Sequence, residues 1–303
     1  MAPVRAILAL AVLFGHFQFY SVPALLPLRH LAAPSVAMFL FISGFGLDYS
    51  FQQKGDNYLH SFFKRRVVKI ALPAILVTLL HIWLFGNGGA DIMERARLIA
   101  TKGNTLLPHY WYGWTILLFY LLFWACYRFL HGWATRFAVL VGVVCFTAAT
   151  RWAGFDRCWW ICSLAFPTGI YFAQYKSALF SFCEKRELFY WLLLLLLGVA
   201  FIGLFLTRIE TCWAFCYVLI TIIGALIVSR LPLDRLNLPV LRFLGSISYE
   251  IYLVHITVMC LLRGGFLYIE SNPLFVMLVI CLTIVLAYGI HLLCKTITQI
   301  TNL

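Results

Sequence analysis

Charged residues are scarce in this chain: they make up 11% of its 303 residues, whereas 63% are hydrophobic. A soluble domain carries about 25% charged and about 45–50% apolar residues. The composition therefore excludes an ordinary soluble protein. It predicts a polytopic membrane protein with almost no length left for a separate soluble domain.

Acidic residues are the scarcest class, with 11 Asp and Glu against 23 Lys and Arg, for a net charge of +12. The basic residues are scattered between apolar spans instead of being gathered in one segment. This distribution is typical of membrane orientation and of contact with anionic membrane lipid. It argues against a nucleic-acid partner.

A metal site is also missing from the pattern. Four of the ten cysteines form two pairs with helical spacing, Cys158 with Cys162 and Cys212 with Cys216. Each pair could face one side of a helix and in principle hold a metal. No histidine or carboxylate spacing completes a tetrahedral site, so we predict no metal and interpret the cysteines as small packing residues.

The chain has no low-complexity segment and no convincing internal repeat. Its first apolar span lacks a convincing signal-peptide cleavage site, so we expect that span to be retained. Ten apolar spans of about 20 residues, the length of a membrane helix, can be drawn at 4–22, 33–50, 67–86, 112–130, 134–151, 158–175, 188–206, 212–229, 242–263 and 273–294. We predict an all-α fold, a bundle of about ten transmembrane helices in a single domain over residues 1–303.

The placement of Lys and Arg predicts the orientation. With the N-terminus inside, fifteen of the 23 basic residues fall in inner segments and eight in outer ones. Cytoplasmic segments carry the excess of Lys and Arg. We therefore expect cytoplasmic N- and C-termini.

The most informative pair is Arg5 and His16, both in the first apolar span. An ionisable group in such a span is costly in hydrocarbon, so it is a functional hypothesis by default. Eleven residues of helix rise roughly 16 Å and complete about three turns, so both side chains point to nearly the same face. With Arg5 at one membrane face, we expect His16 about halfway through the bilayer, in a shared cavity.

A basic run opens the third span, where Arg66 and Lys69 are three residues apart and share a helix face. One interpretation is a membrane anchor whose long side chains reach the interface. The other is a phosphate-binding cluster formed with Arg65, because guanidinium groups bind phosphate through two parallel hydrogen bonds. A donor such as acyl-CoA brings several phosphates.

Small or polar residues interrupt two other spans. Ser43 and Gly44 either permit close helix packing, or Ser43 contacts a ligand or the His16 ring. Ser248, Tyr252 and His255 fall at i, i+4 and i+7, which is one helical stripe. That stripe indicates a polar cavity, although His255 alone could be a packing residue.

An aromatic cluster around Trp111 precedes the fourth span, and it contains His109. Interfacial aromatic belts explain most clusters of this kind. The histidine makes this one a candidate part of the site.

These segments together resemble the acyltransferase-3 family of integral membrane O-acyltransferases. The first family helix carries Arg, ten residues and His, as Arg5 and His16 do. The Phe-rich run ending in Ser-Gly-Phe is matched at residues 39–45. The Arg-x-x-Arg motif followed by Pro is matched by Arg66, Lys69 and Pro73, with Lys in the second place. The Gly-x-x-Ser-Tyr-x-x-Tyr-Leu-x-His stretch is matched at 245–255, so the resemblance covers nearly the whole chain.

The chain departs from the family in one segment. Many members have a Trp-Ser-Leu-x-x-Glu segment at the start of a middle helix, and this chain has no Glu there. His109-Tyr-Trp111 is closer to the variety found in members that modify exopolysaccharide and cell-surface sugars. A mechanism that needs a second acidic group at this point is therefore not implied.

The resemblance implies transfer of an acyl group, often acetyl, from cytoplasmic acyl-CoA to a hydroxyl of a sugar or lipid-linked glycan at a bacterial inner (cytoplasmic) membrane. Acyl-CoA, commonly acetyl-CoA, is then a co-substrate, and no cofactor is permanently bound. His16 would act as general base or as nucleophile, with Arg5 as its catalytic partner. The donor would lie on Arg65, Arg66 and Lys69. The implied cavity residues are Ser43, His109, Trp111, Ser248, Tyr249, Tyr252 and His255.

Two alternatives remain at this stage. A transporter or flippase of a sugar, lipid or small acid would also have many spans and a polar cavity, but it would need no basic cluster beside Arg5. A non-catalytic scaffold for an envelope assembly would leave the ionisable stripe as packing, at high cost in a membrane.

Overall fold

The computed structural model describes residues 2–86, 102–103, 105–231, 238–264 and 267–301, and these residues form helices and no strand. Arg95, Arg97 and Arg235, which contribute to the predicted orientation, lie outside them. The helices are α1 (Ala2–His16), α2 (Ala32–Lys54), α3 (Asp56–His60), α4 (Val68–Phe85), α5 (Trp111–Phe129), α6 (Trp133–Trp152), α7 (Cys158–Ile161), α8 (Ala165–Lys185), α9 (Glu187–Leu206), α10 (Glu210–Arg230), α11 (Pro239–Ser246), α12 (Ser248–Arg263) and α13 (Asn272–Ile300).

Each of the ten predicted spans overlaps one of these helices or a consecutive pair of them. Within the described residues, seven helical segments are long and apolar enough to cross a membrane, and eight are if α11 and α12 count as one bent span. The helices α5 and α8 are not among the seven. The all-α class is confirmed, whereas the count of ten spans and the cytoplasmic termini stay predictions.

Apolar side chains on the outside of α9 show why these helices need lipid. This helix has a mean hydropathy of 2.6, yet only 6% of it is buried. Leu195 and Leu196 are 63% and 66% exposed. A helix that is apolar all round is stable only in an apolar surrounding, so the surface of α9 indicates membrane hydrocarbon.

The chain divides into two compact units, the first made of Met1–Ser35, Lys64–Leu117 and Leu233–Leu303. In this unit α11 and α12 meet at an angle of 73°. Ser246 and Ser248 donate side-chain hydrogen bonds to the carbonyls of Phe243 and Gly245. Such local bonds compete with the helical pattern, and they accompany the bend. Gly245 itself has no room for a side chain, because an added Cβ would lie 2.0 Å from the carbonyl oxygen of Ala2.

The second unit, Val36–Phe63 and Leu118–Pro232, contains a close crossing of α2 and α8. An added Cβ on Gly44 would lie 2.1 Å from the carbonyl oxygen of Phe166, and one on Gly169 would lie 2.0 Å from that of Phe41. Backbones approach so closely only where both helices lack side chains. The crossing confirms the expectation that the Ser43–Gly44 pair permits close helix packing.

We expect Gly44→Ala to lower the melting temperature and the yield of folded protein, because the methyl group must push α2 away from α8. Gly46→Ala is the matched control, since no atom lies within 4 Å of a Cβ added there. Alanine in a helix interior is favoured over glycine by about 1 kcal/mol, so the control should be neutral or stabilising. Thermal unfolding in detergent measures both. Equal melting temperatures would contradict the crossing.

Candidate active site

His16 lies at the end of the α-helix in the first span. Beyond it the chain continues as a 3₁₀ turn, Phe17–Tyr20, and then Ser21 takes a positive φ of 53°. The His16 Nδ1–H donates to the carbonyl oxygen of Val12 at 2.8 Å, so the ring satisfies a carbonyl of the last helical turn. The sequence predicted one apolar span over 4–22 with His16 about halfway through the bilayer. In the structure the α-helix of that span ends at His16, and the depth of His16 in the bilayer stays a prediction.

Three imidazole rings meet in the first unit. The Nδ1 of His16 is 3.2 Å from the Nε2 of His255, which lies within α12. The ring of His109, from the turn before α5, has its centroid 5.3 Å from that of His16. The structure thus brings together three residues that are far apart in the sequence, and we call them the histidine cluster.

The hydrogen bonds of the cluster determine where its protons lie. A carbonyl oxygen only accepts, so the Nδ1 atom next to Val12 O carries a hydrogen in His16, and the Nδ1 next to Ile251 O, at 3.2 Å, carries one in His255. The Nε2 of neutral His255 then carries a lone pair, and the one Nδ1–H of His16 is shared between the Val12 carbonyl oxygen at 2.8 Å and this Nε2 at 3.2 Å. The His16 Nε2 keeps its lone pair, which makes it the basic and nucleophilic atom of the cluster.

The backbone of His109 has an uncommon left-handed conformation, with a φ of 60°. Tyr252 donates its hydroxyl hydrogen to the His109 carbonyl oxygen at 2.6 Å. The His109 ring stacks on Phe19 with centroids 5.0 Å apart. A left-handed non-glycine residue persists where the surroundings hold it, and Tyr252 supplies one of the bonds that hold this one.

A chain of tyrosine hydroxyls fixes the same turn to two helices. Tyr249 donates to the carbonyl of Ile70 in α4 at 3.1 Å, so the 3.0 Å bond between Tyr110 and Tyr249 has Tyr110 as donor. The Tyr110 ring also covers Gly113, where an added Cβ would lie 2.0 Å from the ring. Tyr249 and Tyr252 therefore support the turn that presents His109.

Arg263 fixes the chain that follows His16. Its guanidinium donates to the carbonyl of Tyr20 and to the side-chain oxygen of Asn272, both at 2.9 Å, and to the carbonyl of Ile269 at 2.6 and 2.9 Å. It also stacks over Phe275 at 4.1 Å. With so many donors bonded, this arginine positions backbone.

Two other predicted residues of the first unit lie beside the cluster without joining its recorded contacts. Ser248 is buried and bonds back to Gly245, so its hydroxyl belongs to the α11–α12 bend. Trp111 is the first residue of α5 and packs its ring edge against Tyr112. Ser43 is half-buried on α2 in the second unit.

The basic residues lie apart from the imidazoles. Arg5 is exposed, eleven residues before His16, which corresponds to about 16 Å along the helix. Arg65 and Lys69 are exposed and Arg66 is half-buried. Residues 63–67 form a π-helical turn, so the shared face expected for Arg66 and Lys69 from α-helical spacing does not carry over directly. Such turns are frequent at functional sites.

Sequence reasoning missed a buried polar network in the second unit. Asp48 is fully buried, and its carboxylate accepts hydrogen bonds from Tyr127 at 2.5 Å, from Gln52 at 2.5 Å and from Arg136 at 3.0 Å. It is the only charged residue in the predicted span 33–50, and that was the available signal. A buried ion pair of this kind costs several kcal/mol when one partner is removed, so we interpret it as a clamp between α2, α5 and α6.

The described residues contain no group of three or more His, Cys, Asp or Glu side chains arranged to hold a metal ion. An imidazole ring with a free lone pair supports proton transfer and nucleophilic chemistry. The rings of the histidine cluster hydrogen-bond to each other and to backbone carbonyls.

The sequence model of the acyltransferase domain family, acyltransferase-3, matches residues 4–292. The chain belongs to this family. It is an integral membrane acyltransferase, and the match spans every segment on which the resemblance rested. No curated protein and no solved structure matches the chain at a significant level.

We expect His255 to act as a positioning residue for His16 in this acyltransferase. When His16 gains a proton or an acyl group at Nε2, the ring becomes positive and its Nδ1–H bond to His255 strengthens. Hydrogen bonds to charged groups contribute about 1.5–3 kcal/mol, so His255→Leu should lower kcat about 10- to 100-fold.

His255→Gln should recover part of that loss, because its amide oxygen can accept the same hydrogen. The KM for the acyl donor should change little in either variant, which a general folding defect would not produce. Steady-state kinetics in nanodiscs measures both parameters. The same kcat in the Leu variant and the wild type would contradict the role.

Proposed function

We propose that this acyltransferase moves an acyl group from acyl-CoA to a hydroxyl of a sugar or lipid-linked glycan. The observation that carries the proposal is the pair of contacts that His16 Nδ1 makes with the Val12 carbonyl and with His255, because they leave Nε2 of the neutral ring with its lone pair. A basic nitrogen held in a fixed ring orientation is what transfer to a hydroxyl requires. The acetyl group is the member of the acyl class that the family resemblance favours.

As a general base, the His16 Nε2 removes the proton of the acceptor hydroxyl while the hydroxyl oxygen attacks the thioester carbonyl. The carbon–sulfur bond breaks, and the CoA thiolate leaves with the proton that Nε2 took up. The ester on the acceptor and free CoA are the products. In this scheme His255 and the Val12 carbonyl stabilise the transient positive charge on the ring.

As a nucleophile, the same Nε2 attacks the thioester carbonyl and forms an acyl-imidazole with release of CoA thiolate. The acceptor hydroxyl then attacks that carbonyl, Nε2 leaves with its lone pair, and the hydroxyl proton passes to the CoA thiolate. Both schemes use one lone pair. Rapid acid quenching followed by mass spectrometry of the His16 peptide distinguishes them, because only the second scheme adds the acyl mass to that peptide.

The donor would be bound by Arg65, Arg66 and Lys69, which are partly or fully exposed at the start of α4. CoA carries several phosphates, and guanidinium groups bind phosphate with paired hydrogen bonds. Under the predicted orientation this cluster faces the cytoplasm, where acyl-CoA is made. A transporter or flippase would have no need of CoA affinity.

We expect His16→Ala to lower acyl transfer by about 10²–10⁴-fold, the range that general acid–base groups contribute. The protein should still accumulate in the membrane, because a single ring is lost at a helix end. His131→Ala, at an exposed residue, is the matched control and should keep wild-type turnover. Transfer of labelled acetyl from acetyl-CoA in nanodiscs is the measurement. Near-wild-type turnover of the His16 variant would refute the assignment.

We expect Arg66→Ala and Lys69→Ala each to weaken CoA binding roughly 10- to 100-fold, because a charge-assisted bond contributes about 1.5–3 kcal/mol. Arg128→Ala is the control, since Arg128 is exposed and predicted to face the same side. Raised salt should weaken binding by the wild type more than by the variants. Calorimetry with CoA measures this. Unchanged affinity in both variants, or none in the wild type, would contradict a CoA donor and favour a transporter.

A further inference from the structure

An open cavity of about 570 Å³ lies in the second unit, and none of its lining residues is one that the proposed chemistry uses. It is lined by residues from the end of α6, the segment before α7 and the start of α10: Arg151, Phe155, Asp156, Arg157, Trp160 and Glu210. Small-molecule sites occupy about 300–1,000 Å³. The cavity is therefore large enough for a ligand of one or two rings.

The charged groups of the lining balance, with two guanidinium and two carboxylate groups. Among the residues that the structure describes, no ion pair joins Arg151 or Arg157 to Asp156 or Glu210. The arginines lie against aromatic rings instead, Arg151 over Trp160 at 5.3 Å and Arg157 over Trp213 at 5.4 Å. Aromatic faces hold a guanidinium without consuming its N–H donors.

This lining offers exposed donors, exposed acceptors and an aromatic edge with no net charge. A carboxylate only accepts hydrogen bonds and a guanidinium only donates them, so a ligand that satisfies both must carry donors as well as acceptors. Hydroxyl groups have this property. A diphosphate or other polyanion would face the carboxylates of Asp156 and Glu210, and a polycation would face the two arginines.

We propose that this cavity binds a neutral sugar unit of the acceptor glycan. Asp156 and Glu210 accept from its hydroxyls, Arg151 and Arg157 donate to them, and the ring of Phe155 covers a face of C–H groups. The identity of the ligand as acceptor rests on the proposed function, whereas the chemistry of the lining does not. Under the predicted orientation this end of α6 and α10 lies on the extracytoplasmic side.

A zwitterionic lipid headgroup is the competing occupant, because its phosphate would match the arginines and its ammonium the carboxylates. The glycan is favoured because the proposed reaction requires a hydroxyl acceptor. A lipid headgroup can occupy the cavity only if the bilayer contains that lipid, whereas a sugar does not depend on it. An experiment in bilayers of defined lipid composition therefore distinguishes the two occupants.

The test uses the full chain in nanodiscs of phosphatidylglycerol, since maltoside detergents themselves carry sugar. The probes are three neutral disaccharides, maltose, lactose and cellobiose, and saturation-transfer NMR measures their binding. We expect at least one to bind the wild type, and Glu210→Gln and Arg157→Gln to weaken it at least tenfold. Arg208→Gln is the matched control, because Arg208 is exposed and outside the lining.

No saturation transfer from any of the three sugars, or equal binding by the wild type and both cavity variants, overturns the proposal. Loss of sugar binding when phosphatidylethanolamine replaces phosphatidylglycerol, with recovery in Glu210→Gln, assigns the cavity to lipid and also overturns it. Binding to the wild type that is lost in the cavity variants and kept in Arg208→Gln supports it.

The result is independent of the reaction itself. His16→Ala should bind the sugar as the wild type does, and Glu210→Gln should bind CoA as the wild type does. If the protein binds sugar but not CoA, the cavity keeps its assignment and the proposed function is refuted. If the protein transfers acyl groups from CoA but the cavity variants bind sugar as the wild type does, the proposed function stands and the cavity assignment is refuted.

Discussion

The hydrogen bond from the Nδ1 of His16 to the Nε2 of His255 is the contact on which the site depends. It joins the first apolar span to one near the end of the chain, and it orients the His16 ring. The carbonyl oxygen of Val12 decides which nitrogen of His16 carries the hydrogen, because a carbonyl only accepts. Two imidazolium ions at 3.2 Å would repel each other, so the bond to His255 also requires that the rings do not both carry a charge. The orientation and the proton position of His16 follow from these two contacts.

The surroundings of that bond hold its two sides in place. Arg263 fixes the backbone that leaves His16, and Tyr252 and Tyr249 fix the turn that carries His109. These supports are mostly bonds from side chains to backbone carbonyls. In an apolar medium an unpaired carbonyl costs several kcal/mol, so irregular backbone near a membrane site needs such donors.

The second unit solves the same problem differently. Asp48 carries a carboxylate in an apolar span, and three side chains donate hydrogen bonds to it: Gln52, Tyr127 and Arg136. The crossing at Gly44 and Gly169 brings backbones together without any polar group. The residues around Arg151 and Glu210, by contrast, leave donors and acceptors facing an open cavity, which is the arrangement of a binding surface.

Composition and spacing alone predicted the membrane class and the all-α fold, and the resemblance of several motifs implied the family and made His16, His109, Tyr252 and His255 candidates for the site. Those properties are local, since hydropathy and motif order are written along the chain. Tertiary structure alone decided that His16 ends its helix, that His255 orients it, and that Ser248 serves a bend. It also revealed the Asp48 network and the charge-balanced cavity. The His16–His255 bond and the Asp48–Arg136 pair join residues 239 and 88 positions apart, and no periodicity in a single sequence specifies which side chains such contacts join.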